Sequence, residues 1–136
     1  MVHTLTVLTL RLAEAIGLYW FAAGVGLLVA PQKLAAIVSD FERSPGLVYA
    51  IGIAAFAVGT AILIPHHVLT DPLSVIVTVL AALVAIEGLV LIAFPETLLS
   101  FARLFVPTAR LWALIAIVLG LLLFLAGFTG RADALP

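Results

Sequence analysis

Residues 24–41, GVGLLVAPQKLAAIVSDF, return at residues 88–105 as GLVLIAFPETLLSFARLF. Gly24 falls on Gly88, Pro31 on Pro95, Leu34 on Leu98, Ile37 on Phe101, Val38 on Ala102 and Phe41 on Phe105, all 64 positions apart. A three-residue deletion in the second copy then pairs Ala50 with Leu111 and Gly59 with Gly120. The likeness extends from Leu12–Gly59 to Ile76–Gly120. One unit, an apolar run stopped by proline and followed by a short mixed segment, is used twice. The solvent that such a unit tolerates decides the fold.

That solvent is lipid. Hydrophobic residues make up 65% of the 136-residue chain and charged residues 10%, with a mean hydropathy of +1.38. A soluble domain carries about 45–50% apolar and about 25% charged residues. Residues 15–32, 44–70 and 111–130 contain no Asp, Glu, Lys or Arg, and residues 72–95 contain one, Glu87. Roughly 20 apolar residues cross the hydrocarbon layer as a helix, so four spans are expected, near 10–30, 47–64, 73–94 and 109–128. The expected fold is an all-α membrane protein: a single integral membrane domain over 1–136, made of tandem parallel repeats at about 10–64 and 73–128. The N-terminus lacks a positive stretch before its apolar run, and its first charge is Arg11, so the first span reads as a retained helix rather than a signal peptide.

Pro31 and Pro95 end the first span of each copy, because proline cannot continue the backbone ladder without cost. Between Pro31 and Pro45, Leu34, Ile37, Val38 and Phe41 fall at i, i+3, i+4 and i+7. Leu98, Phe101, Ala102 and Phe105 repeat that spacing before Pro107. This predicts a short amphipathic helix at the membrane surface in each copy. Span, surface helix, span returns the chain to its starting side, so the copies share one orientation about an axis along the membrane normal. Lys33, Arg43, Arg103 and Arg110 flank the surface helices, whereas Arg11 and Arg131 lie on the other side. The excess favours cytoplasmic surface helices and termini outside.

Small residues recur every seven positions: Gly17 with Gly24, Gly52 with Gly59, Ala81 with Gly88 and Gly120 with Gly127. In lipid, close backbone approach drives helix association. These stripes therefore serve a compact four-helix bundle, or association with other membrane subunits or a second copy.

Among polar residues, Glu87 lies eight positions before Pro95, about 12 Å into the span. A carboxylate at that depth is expected to face the bundle, where it either binds a proton or ligand or ties helices together. Thr78 is its candidate companion. Arg11 and Glu14 are spaced to pair on the first turn of the first span. His66 and His67, beside Pro65 and with Asp71 nearby, read as a solvated loop, because no third and fourth ligand stands at metal spacing. No metal site is expected. Tyr19, Trp20 and Phe21 fall mid-span and read as packing or lipid-facing rings rather than the wall of a quinone or pigment site, and no cofactor is expected. With no cysteine and a net charge of −1, thiolate chemistry and nucleic-acid partners are excluded.

Residues 12–17, LAEAIG, resemble the start of the small multidrug resistance transporters, whose helix-one glutamate binds drug and proton. The family's following threonine and lysine positions are Leu18 and Phe21–Ala23 here, and the duplication is foreign to that family, so the match is read as coincidental. More broadly, Gly26–Pro31, Gly88–Pro95 and Gly52–Gly59 resemble uncharacterised small bacterial integral membrane proteins. That resemblance implies a multi-pass protein of the bacterial inner membrane and no particular activity. With no catalytic constellation in view, the expected role is non-enzymatic: an accessory or assembly subunit that binds another membrane protein through small-residue helix faces. The alternative is a small proton-linked transporter or lipophile-binding protein using Glu87.

Overall fold

A computed structural model describes residues 2–66 and 72–129, with side chains from residue 7 onward. The described chain is helical: α1 (Val2–Val29), α2 (Gln32–Arg43), α3 (Pro45–Leu63), α4 (Pro72–Ala93), α5 (Pro95–Arg103) and α6 (Ala109–Thr129), with a 3-10 turn at Val106–Thr108 leading into α6. Four segments are long and apolar enough to cross a membrane: Val7–Val29, Pro45–Leu63, Pro72–Ala93 and Val106–Thr129. Their outward surface is apolar, with Val58, Leu83, Ile86, Leu114, Val118 and Leu122 each about half exposed or more. Such a continuous apolar exterior suits lipid and not water.

The breaks follow local chemistry. Ser44 caps α3 by accepting from the Leu47 N–H at 3.3 Å, and Pro45 takes the first helical position, where its missing N–H costs nothing. Pro95 does the same for α5, with Glu96 in the first turn and Arg103 in the last, each suited to the helix dipole. Pro31 stands one residue outside α2 instead of opening it. α1 begins at Val2, eight residues before the expected start at Leu10. The threonines of that stretch lower its hydropathy without breaking a helix.

α1 packs along α6 and α3 along α4, while α2 rests on α5 and on α3. Seven glycines set the two main contacts. A Cβ on Gly17 would lie 2.5 Å from the Gly120 carbonyl oxygen, and one on Gly24 2.8 Å from that of Ala113. Across the other pair, a Cβ on Gly59 would lie 2.5 Å from the Ala85 nitrogen, and one on Gly88 2.6 Å from the Gly52 oxygen. Gly52 faces Leu91 and Ile92, Gly120 faces Phe21, and Gly127 faces Leu10 and Glu14. Backbone therefore touches backbone, which is where dispersion is gained in lipid. The small-residue faces are occupied by the chain's own helices.

Larger side chains fill the remaining gaps. Ala13, Leu73, Val77 and Leu123 join α1, α4 and α6. Val48, Leu91 and Leu99 join α3, α4 and α5. On the short helices the apolar stripe is split: Val38 is buried, Leu34 and Phe41 are half-buried, and Ile37 and Phe101 are exposed.

Candidate functional site

Glu87 faces outward. Ala81, Ala85 and Gly88 form the buried stripe of α4 against α3, and residue 87 is about 100° around the helix from residue 88. Its side chain is exposed beside Leu83 and Ile86. Among the described residues, no hydrogen bond or ion pair reaches it. This corrects the expectation that the carboxylate turns into the bundle. Thr78 is not its companion: Thr78 is nine residues away, about 14 Å along the helix, and is engaged elsewhere.

Thr78 belongs to a buried polar cluster at the end of the bundle opposite α2 and α5. His66 is 0% exposed, just past the end of α3. Its Nε2 is 2.7 Å from Thr9 Oγ1 on α1, and its Nδ1 is 3.0 Å from Thr78 Oγ1 on α4. Ser74, one turn before Thr78, is buried beside this end at 1% exposure. The ring thus satisfies both nitrogens with hydroxyls that can donate or accept. His66 was expected in a solvated loop and is instead among the most buried side chains in the molecule. His67 and Asp71 lie outside the described residues. The i, i+4 spacing of Ser74 and Thr78 is readable as one polar face of a helix. The meeting of Thr9 and His66 across 57 positions has no local signature.

Arg11 and Glu14 pair at 3.2 Å. With α1 starting at Val2 they stand in its third and fourth turns, not its first. Arg11 remains 74% exposed, whereas Glu14, 22% exposed, leans on Gly127. Tyr19 is 71% exposed and Phe21 36%, so both rings look outward. No grouping of three or more His, Asp or Glu that would hold a metal occurs among the described residues.

At the opposite end, Arg103 of α5 donates from Nε and Nη2 to the two carboxylate oxygens of Glu42 on α2. This two-pronged pair holds the Glu42 carboxyl below the usual carboxylate range, chiefly through the Arg103 hydrogen bonds, and raises Arg103 through the same bonds. A carboxyl that is more acidic folded than unfolded stabilises the fold fully above the ordinary glutamate value of about 4.3 and loses that contribution as pH falls through the lowered value. Both groups are exposed, so the effect is local. Spin labels on Lys33 and Thr97 are expected to give one narrow distance at neutral pH that broadens in acid. Glu42→Gln should broaden it at every pH. A distribution indifferent to both changes would rule out the clamp.

The polar groups thus sort into an outward carboxylate, a buried histidine knot and an ionic clamp. The chain matches no family model, no curated protein and no solved structure.

Proposed function

We propose that this chain is a non-enzymatic integral membrane subunit that binds another membrane protein along the outward face of α4. The observation that carries this reading is the position of Glu87, a carboxylate on the apolar exterior of a span with no partner among the described residues. An unpartnered carboxylate facing hydrocarbon costs about 2.5–3.5 kcal/mol on insertion scales for aspartate at the helix centre. A neighbouring helix that offers a hydrogen-bond donor or cation removes that cost, so the face is made to be covered. The glycine stripes are not the docking face, because the chain's own helices fill them. The transporter reading finds less support: Glu87 does not line the cleft between α3 and α5, and the backbone contacts leave no room between the paired helices.

The reading extends to the architecture: two parallel copies related by a pseudo-twofold axis, in a bacterial inner membrane, with α2 and α5 lying on the cytoplasmic surface. Corresponding contacts support the repeat. Gly24 meets Ala113 and Ile117 as Gly88 meets Gly52 and Phe56, and Gly120 meets Gly17 and Phe21 as Gly59 meets Ala81 and Ala85. The copies differ at their outer ends, where Gly127 against Glu14 corresponds to His66 against Thr78.

A photo-crosslinker at Leu83, beside Glu87, is expected to trap one discrete partner in native membranes. The same probe at Leu119 on α6 should trap none. Glu87→Leu should reduce the Leu83 adduct at least fivefold, since a charge-assisted hydrogen bond in lipid contributes about 1–2 kcal/mol. Equal yields from the two sites would refute the α4 docking face.

A further inference from the structure

The surface-helix end of the bundle holds a half-open cleft of about 500 Å³, framed by α2, α3, α4 and α5. That size is within the range of about 300–1,000 Å³ typical of small-molecule sites. Its walls are Val48, Leu91, Ile92 and Leu99, and three of these are buried core side chains that fix its shape. Its rim is polar and acidic: Glu42, Tyr49, Glu96 and Ser100. Glu42 is already engaged by Arg103. Glu96 is exposed and, among the described residues, has no hydrogen-bonding or ionic partner. The cleft lies where α3 and α5 begin, at Pro45 and Pro95, and so at the level where a span meets the membrane surface.

From this arrangement we infer that the cleft binds a membrane lipid with a primary ammonium head group, its chains along Leu91 and Ile92 and its ammonium on Glu96. Charge complementarity selects the head. The free carboxylate of Glu96, with the hydroxyls of Ser100 and Tyr49 on the same rim, offers several acceptors, and among the described residues no Lys or Arg lines the cleft, which suits a group with three N–H donors and one positive charge. An anionic head would meet the uncompensated carboxylate of Glu96 at the rim. A trimethylated head brings the charge without N–H donors. The apolar walls favour a molecule that arrives from the bilayer, since they reward buried methylene groups.

The test is native mass spectrometry of the full chain released from micelles containing equal amounts of phosphatidylethanolamine, phosphatidylcholine and phosphatidylglycerol with identical chains. Phosphatidylethanolamine should be retained about tenfold over either competitor, as one charge-assisted hydrogen bond allows. Glu96→Gln, an exposed change that costs the fold only its small helix-dipole contribution, should abolish that preference. Ser100→Trp, on the exposed side of α5, should block the mouth and remove retention of all three lipids. Equal retention by the unaltered protein, or a preference that survives Glu96→Gln, overturns the inference. Equimolar displacement of the lipid by dodecylamine would show a site for free amphipathic amines and overturn the membrane source.

Discussion

Gly88→Ala is expected to destabilise the bundle by roughly 1–3 kcal/mol, the ordinary range for overpacking a close contact, and Gly88→Leu by more. The reason is geometric. The added Cβ would sit 2.6 Å from the Gly52 carbonyl oxygen, and the obstacle is backbone held in its own helix, so no rotamer change can relieve it. α3 and α4 must separate along the length over which Gly52, Phe56, Gly59, Ala81 and Ala85 now meet. Gly26 supplies the control. It lies on α1 with open space where a Cβ would go, so Gly26→Ala should be neutral or stabilising by up to about 1 kcal/mol through helix propensity alone. Unfolding in mixed micelles of rising denaturing detergent measures both. Equal losses for Gly26→Ala and Gly88→Ala would mean that the contact does not carry the packing.

The same glycines show what was readable in the chain. Spacing of seven revealed that each span owns a small-residue face, because seven residues close two helical turns. Which span it meets is a matter of topology, and a string match carries no pairing: α1 chooses α6, and α3 chooses α4. The orientation of Glu87 was available by the same arithmetic. Ala81 and Gly88 mark the buried stripe of α4, and Glu87 stands about 100° off it. The energetic preference of a carboxylate to turn inward gives way to geometry here, because a carboxylate cannot enter a face where backbones touch. The span ends were legible from Pro45, Pro72 and Pro95, whereas the early start of α1 was hidden by threonines that a hydropathy window penalises and a helix accepts.

His66 departs from its local signals for a different reason, and its replacement is the other large effect expected. A histidine next to proline in a short connection reads as solvent-facing, yet this ring ties the end of α3 to Thr9 on α1 and Thr78 on α4. His66→Leu removes one buried and one part-buried hydrogen bond and should cost about 2–4 kcal/mol, since each lost partner costs about 1–3 kcal/mol. His66→Gln, which keeps one donor and one acceptor, should recover part of that loss. Coupling distinguishes a polar knot from mere filling of space. If the Nδ1–Thr78 bond carries energy, His66→Leu and Thr78→Val together should cost less than the sum of the single changes, by about 0.5–3 kcal/mol. Simple filling predicts additivity. The knot joins the two helix pairs at the end far from the Glu42–Arg103 clamp. Its loss should therefore loosen α1 against α4 while leaving the Lys33–Thr97 label distance narrow. An additive cycle, or a broadened distance at the clamp, would mean that His66 acts through bulk and that the two ends of the bundle are not held independently.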